Sequence, residues 1–344
     1  MSRQGYVHDE VDWGHGGGDE QVVDAEEFAE RTQYSGFDRP EAGLYFVEGG
    51  RSYNASVWAY RLPSDVEESI RQDRQHYITL ATLPGLYRGP VAEVLSDQSR
   101  QRRILDVGCG TGIWLAEMAE RFPDVDCVGI DIVDLHHSSH PRNCTYMCVQ
   151  APGGMRIFPD HSFDVVDVSQ MILSVPDFAG LLQQCYRVLR RGGIILVHEP
   201  RFHIHSAWEG FEPADLSPGL TKWAEVFVRA LLYRGIDIRQ CEHVEDILVD
   251  VGFDRDAIDA HVYYRHALQN PLYTQQAFQE ADKIIAFCNA SRLVVLESGV
   301  LDEEGFDEME AELTADMKGQ SHGVAGPEGP RGLLSDWGYW WCIK

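Results

Sequence analysis

The chain has 344 residues, 44% of them hydrophobic, which is enough to bury one large core or a core plus a cap. Its 29 basic and 55 acidic residues leave a formal net charge of −26. A surface this acidic repels phosphate backbones and anionic lipid, which argues against DNA, RNA and membrane surfaces as partners.

Residues 1–40 are rich in Gly, Asp, Glu and Gln, and read as a mobile acidic arm with a short helix over Gln21–Arg31. Residues 41–100 read as a helical and aromatic cap segment that opens with Tyr45, Phe46, Tyr53, Trp58 and Tyr60. Ser64, with Glu67 three residues on, predicts a capping box and a helix to about Leu83, where Pro84-Gly85 stops it. The basic run Arg100-Gln101-Arg102-Arg103 reads as a solvated strand entry.

A βα alternation fills 101–273. Short apolar strands are predicted at Arg103–Val107, Cys127–Ile130, Thr145–Val149, Phe163–Val168 and Ile194–Val197, with helices at Ile113–Arg121 and Phe178–Leu189. Residues 200–218 are expected to be loop, followed by helices near Leu220–Arg234 and Val244–Val251 and a strand near His261–His266. A helical cap insertion is expected over 274–322, then a Gly/Pro loop and a last aromatic strand, Trp337–Ile343, within 323–344. The expected architecture is α/β: a Rossmann-like, doubly wound, seven-stranded and mostly parallel sheet with helical caps from both ends of the chain.

The eight cysteines (109, 127, 144, 148, 185, 241, 288 and 342) form no CxxC pair and no regular framework, which fits free thiols in a reducing compartment. No run of 18 apolar residues predicts a membrane span, and the N-terminus lacks the basic-then-apolar pattern of a signal peptide. The expected location is the cytosol or the nucleus.

The chemistry centres on Asp106-x-Gly108-x-Gly110-x-Gly112, between the first strand of this alternation and its helix. Glycine lets the backbone turn sharply and approach a ligand closely. A dinucleotide fingerprint would want Gly or Ala at position 113, where the chain has Ile113. An acid at the strand end suits a ligand carrying a cationic amino group. Asp131 ends the next strand, where a carboxylate can accept from ribose hydroxyls, and Val149-Gln150-Ala151 ends the third, where an adenine edge should lie.

The stretch from Ile104 to Trp114 resembles class I methyltransferases dependent on S-adenosyl-L-methionine (SAM). More narrowly, the chain resembles the fungal LaeA-like branch. The supporting pieces are Tyr60-Arg61-Leu62-Pro63 with Asp65, Glu67 and Glu68, then Asp73-Arg74-Gln75-His76, Ile113-Trp114, Pro141-Arg142-Asn143-Cys144, Phe158–Asp164 and Tyr186–Gly193. The resemblance implies that Asp106, Gly108 and Gly110 hold the methionine end, Asp131 and Ile132 the ribose, and Gln150 and Ala151 the adenine. Tyr60, Cys109 and Ser169 complete the expected cofactor contacts. The family usually has Asp where this chain has Gln150, so the adenine contact here becomes a neutral amide.

Methyl transfer needs positioning above all, and a general base only when the nucleophile carries a proton. His198 and Glu199, at the end of the fifth strand, are the candidate catalytic residues, with His203 and His205 behind them. The run His136-His137-Ser138-Ser139-His140 lacks carboxylate or Cys partners at ligand spacing, so no metal is expected there. Trp337, Tyr339, Trp340 and Trp341 either line an aromatic substrate pocket or pack in the core. Either the segment 45–83 or the insertion 274–317 is expected to close over the reacting centre, with the N-terminal one preferred. The leading function is methylation of an O, N or C nucleophile on a small molecule of secondary metabolism. The alternative is a LaeA-like nuclear regulator that binds SAM and acts in a protein complex. A SAM-fold enzyme without methyl transfer is a third reading.

Overall fold

The computed structural model describes residues 45–83, 85–97, 99–133, 139–206, 210, 212–266, 274–318 and 333–344. The expected N-terminal arm, Trp208, the loop 323–332 and most of the run His136–His140 lie outside the described residues.

The aromatic stretch begins with a hairpin, β1 (Tyr45–Glu48) and β2 (Arg51–Asn54), not anticipated from its sequence. Gly49 and Gly50 both have positive φ, as a two-residue turn matched to strand twist requires. Helix α1 (Val66–Thr82) follows. Its N-cap is Asp65, whose carboxylate accepts from the Glu68 amide, and not Ser64. Ser64 is buried and donates its own amide to the Ser52 carbonyl at 2.6 Å. That bond ties Ser64 to the hairpin and moves the helix start on by one residue.

After α2 (Val91–Ser96) come β3 (Arg103–Val107), α3 (Ile113–Arg121), β4 (Asp126–Asp131), β5 (Cys144–Cys148), β6 (Phe163–Ser169), α4 (Phe178–Val188) and β7 (Leu189–Ser206). Then follow α5 (Pro213–Leu216), α6 (Pro218–Tyr233), α7 (Val244–Val251), β8 (Asp259–His266), α8 (Thr274–Ala290), α9 (Arg292–Ser298), α10 (Glu303–Met317) and β9 (Leu333–Ile343).

The main sheet has seven strands in the order β5-β4-β3-β6-β7-β9-β8. Strands β3 to β7 are mutually parallel and β9 runs antiparallel to both its neighbours, so the expected doubly wound, mostly parallel sheet is the observed one. The chain order reverses between β3 and β6, and ligands of such sheets bind at that switch point, beyond the carboxyl ends of the strands.

Strand alternation sorts the core onto two faces. Leu105, Val128, Val166 and Ile195 pack on α4 and α7, while Ile104, Cys127, Val165 and Ile194 pack on α3 and α2. A separate helical layer gathers Trp223, Phe227, Phe306 and Leu313 from α6 and α10. The buried Asp316 carboxylate joins these helices by accepting from Ser217 Oγ at 2.8 Å and the Gly219 amide at 2.7 Å.

Two sequence expectations need correction. Residues 200–206 are strand rather than loop, because β9 pairs along them: Ile204 with Ser335, His205 with Leu334 and Ser206 with Leu333. The register shifts between Pro200 and Ile204, and Phe202 adopts a φ of 56° there. Nor is the basic run a solvated strand entry. Arg100 and Arg102 both donate to the carboxylate of Asp164, which is buried at the start of β6, and the Arg103 guanidinium lies 4.4 Å from the Phe163 ring centroid.

Candidate active site

The glycine loop leaves β3 at the switch point. The Gly108 and Cys109 amides donate to the Ile130 carbonyl at 2.8 and 3.0 Å, folding the loop back on β4. Gly108, Gly110 and Gly112 have φ values of 77°, 53° and 74°, a region that side chains with a Cβ rarely adopt. Gly112 opens α3 with no side-chain cap and no acidic residue in the first turn. The positive end of that helix therefore faces the loop without an internal anion.

Three carboxylates converge on the loop. Asp106 and Asp167 are register partners on adjacent parallel strands, so their side chains leave the same face of the sheet. Asp131 ends β4 and accepts from the Gly110 amide at 2.9 Å and the Val133 amide at 3.1 Å. Burial, reinforced by Asp167 and Asp131, lifts Asp106 well above the usual carboxylate range. Burial lifts Asp167 to about 7, against the hydrogen bond from Ser169 Oγ. Asp131 is also raised by burial, partly offset by the amides it accepts from. A cluster of acids that resists ionisation when alone is electrostatically complementary to a cation.

All three line one cavity of about 670 Å³. Tyr60, Gly108, Cys109, Gly110, Ile132, Gln150, Ala151 and Ser169 line it too, so every cofactor contact expected from sequence opens onto one space. Gln150 is exposed at its rim, and its carbonyl accepts from the Gly154 amide. Burial, with Glu68 and Asp131 next in effect, pushes the Tyr60 phenol well above its ordinary value, so it stays a neutral donor.

Helix α1 docks directly on the loop. Buried Thr111 donates its hydroxyl to buried Asp73, and Gln72 reaches over Gly110. His76 Nε2 is 2.8 Å from Glu117 of α3, and Trp114 Nε1 donates to the Leu86 carbonyl. The Asp-Arg-Gln-His piece thus meets the loop and α3, while Trp114 ties α3 to the segment that follows α1. A Cβ on Gly110 would fall 2.5 Å from Gln72 Oε1 in a left-handed backbone conformation. Gly110→Val is therefore expected to leave the sheet folded, while SAM affinity falls by at least about tenfold, or 1.4 kcal/mol. Calorimetric titration checks this, and unchanged affinity in a folded variant contradicts it.

The two expected catalytic residues separate. His198 is buried and lines the cavity, its ring centroid 5.1 Å from that of Trp337 and 5.5 Å from that of Tyr339. Glu199 is fully buried and points away from the cavity. Its carboxylate accepts from the Met171 amide at 2.9 Å and the Ile172 amide at 3.2 Å. Burial pushes it well above the usual carboxylate range, with those amides pulling the other way. Glu199 shapes the turn after β6 and is not placed to take a proton from a ligand. That turn includes Gln170 at a φ of 59°, whose amide donates to the His198 carbonyl.

Sequence reasoning missed Asp167, and it named Asp73 and Glu68 only as pieces of the resemblance, without a role in the site. Asp167 carried a signal, since an acid inside a strand covered on both faces is an informative exception. Both cap segments reach the cavity: Glu68, Arg71 and Gln75 from α1, and Glu280, Lys283 and Phe287 from α8. Arg71 grips Glu68 through two bonds, of 2.8 and 2.6 Å, and its guanidinium lies 5.0 Å from the Phe287 ring centroid. Both segments expected to close over the reacting centre thus contribute lining residues. Trp223, Phe202 and Trp337 give the rest of the wall an aromatic character.

The methyltransferase domain family matches residues 79–256, a little over half of the chain, and the chain belongs to that family. The secondary metabolism regulator laeA of Coprinopsis cinerea is 28% identical over 77% of this chain and 66% of its own length. The protein-methionine methyltransferase laeA of Emericella nidulans is 29% identical over 44% of this chain and 40% of its own. The chain thus spans less than two thirds of either curated relative. Among solved structures, phosphoethanolamine N-methyltransferase 2 of Haemonchus contortus in complex with S-adenosyl-L-methionine is similar at 15% identity and a TM-score of 0.41. That match covers 94% of this chain and 75% of the other.

Proposed function

We propose that the chain binds SAM on the glycine loop and transfers its methyl group to a nucleophile held in the aromatic part of the same cavity. The observation that carries this reading is the set of buried Asp106 and Asp167 with half-buried Asp131 around a loop of left-handed glycines. SAM supplies a methyl group on a positively charged sulfur, together with an ammonium and a carboxylate. The acids suit the cationic groups, and the open N-terminus of α3 suits the carboxylate. Asp131 keeps lone pairs for ribose hydroxyls beyond the two amides it already accepts from. Ile132 lies with Asp131 at the ribose, and Gln150 and Ala151 at the adenine end.

The chain's part in the chemistry is to orient the acceptor, exclude water and, where the acceptor carries a proton, receive it. His198 is the side chain best placed for that last role. Neutral and cationic aromatic acceptors suit the aromatic wall. We assign the acceptor to small molecules of secondary metabolism with an O, N or C nucleophile. Incubating the full chain with methyl-labelled SAM and metabolite extracts tests this. Label is expected in a low-molecular-mass product with release of S-adenosylhomocysteine. Label appearing only in protein supports the second reading, a LaeA-like regulator that acts in a protein complex; one relative is named a secondary metabolism regulator and the other a protein-methionine methyltransferase.

Water must be kept from the sulfonium, and the docking of α1 on the loop suits it to that task. Hydrogen exchange across 45–83 is expected to slow when SAM binds. Protection confined to 274–317 would move the closing role to α8.

A further inference from the structure

The extended end of β7 carries a second cluster of chemistry, away from the glycine loop. Among the described residues, His203, His205 and Asp336 form a group of three whose ligand atoms all lie within 4.8 Å of one another. His203 and His205 are two apart on one strand and share a face, and Asp336 sits on β9 beside Ser335, the register partner of Ile204. The separations are 3.4 Å from His203 Nδ1 to Asp336 Oδ2 and 3.6 Å from His205 Nε2 to Asp336 Oδ1.

Two observations point to a ligand. The Asp336 side chain is 4% exposed, yet its Oδ1 has no hydrogen-bond donor among the described residues. The Arg201 guanidinium stands 3.7 Å from Oδ2, the other oxygen. A buried carboxylate oxygen without a donor is costly unless something positive fills the gap. Second, His203 Nε2 lies 3.1 Å from Glu242 Oε1. When that nitrogen donates to Glu242, Nδ1 turns its lone pair toward Asp336. A carboxylate behind one imidazole nitrogen with a metal at the other is a recurring arrangement in zinc sites.

We propose that His203, His205 and Asp336 form a binding site for a divalent transition-metal ion of the zinc type. Ligand atoms around a tetrahedral zinc lie ~3.3 Å apart, given bonds of ~2.0 Å; the 3.4 and 3.6 Å separations are close to that, and the widest in the group, within 4.8 Å, must contract when an ion binds. Two imidazoles and one carboxylate leave coordination positions open. His203 and Asp336 line the cavity, so those positions face it and take water or an oxygen donor. The site is separate from the carboxylates assigned to SAM, and it stands whether or not methyl transfer occurs there.

The test uses the full chain stripped with chelator. Zn²⁺ is titrated calorimetrically, and Co²⁺ is added as a spectroscopic stand-in. One equivalent is expected, with a visible Co²⁺ absorption band of a low-coordinate site. Glu242→Gln should weaken Zn²⁺ by roughly 10–100-fold, the usual cost of losing such a partner. The double variant His203→Gln/His205→Gln should abolish the equivalent, and its half-exposed side chains make it the safer companion to Asp336→Asn. No stoichiometric uptake, or uptake that survives the double variant, overturns the proposal.

Discussion

Replacing Asp106 by asparagine is expected to abolish measurable SAM binding while raising the melting temperature of the cofactor-free protein. The opposite signs share one cause. Asp106 is buried beside Asp167 and near Asp131, so its ionised form is disfavoured in the folded chain. A folded pKa above the unfolded one means that the folded state holds the proton more tightly. Stability is then lost as pH rises from the unfolded value toward the folded one, and an uncharged amide removes that loss. For Asp167, lifted from 3.8 to about 7, the penalty reaches at most ~4 kcal/mol once pH exceeds the folded value. The stability gain from Asp167→Asn should therefore grow from about pH 4 to about pH 8, and the amide oxygen can still accept from Ser169. Thermal unfolding across that range, variant against wild type, reads it directly. In the wild type, SAM affinity should rise with pH through 7, because a cation favours the ionised acids. An Asp106→Asn protein that is less stable and binds SAM as before would show the acid to be structural.

The largest loss of stability is expected at the other end of β6. Asp164 is buried and accepts from Arg100, Arg102 and the Arg103 amide, three donors from the strand entry. Asp164→Ala leaves Arg102, itself 8% exposed, without its buried partner. Breaking a buried pair from one side typically costs about 3–5 kcal/mol. Chemical denaturation should show a lower midpoint with an unchanged slope, and a near-neutral result would mean that Arg102 turns fully to Asp97, its other partner.

The sheet was legible because its signals are local. Short apolar strands, glycine breaks and an acid at the end of β3 lie in a row, and they place the cofactor side of the cavity. The pairing of Glu199 with His198 on the cavity is a step that strand geometry could have corrected. Consecutive residues on a strand point to opposite faces, so His198 and Glu199 could not both meet one acceptor. The roles of Asp73 and Asp164 were hidden because each depends on a partner from another element: Thr111 for one, the Arg100–Arg103 run for the other. The His203, His205 and Asp336 cluster exists only because a register shift in β7 brings two distant strands into line. No spacing rule along the chain reports such a meeting.

The central claim is that the glycine loop and its three acids form a SAM site. Isothermal titration of the full chain with SAM at pH 8, with Asp106→Asn beside it, tests this most directly. One site of micromolar-range affinity in the wild type and none in the folded variant is the predicted result. Absence of binding to the folded wild type, or equal binding to both proteins, would contradict the account.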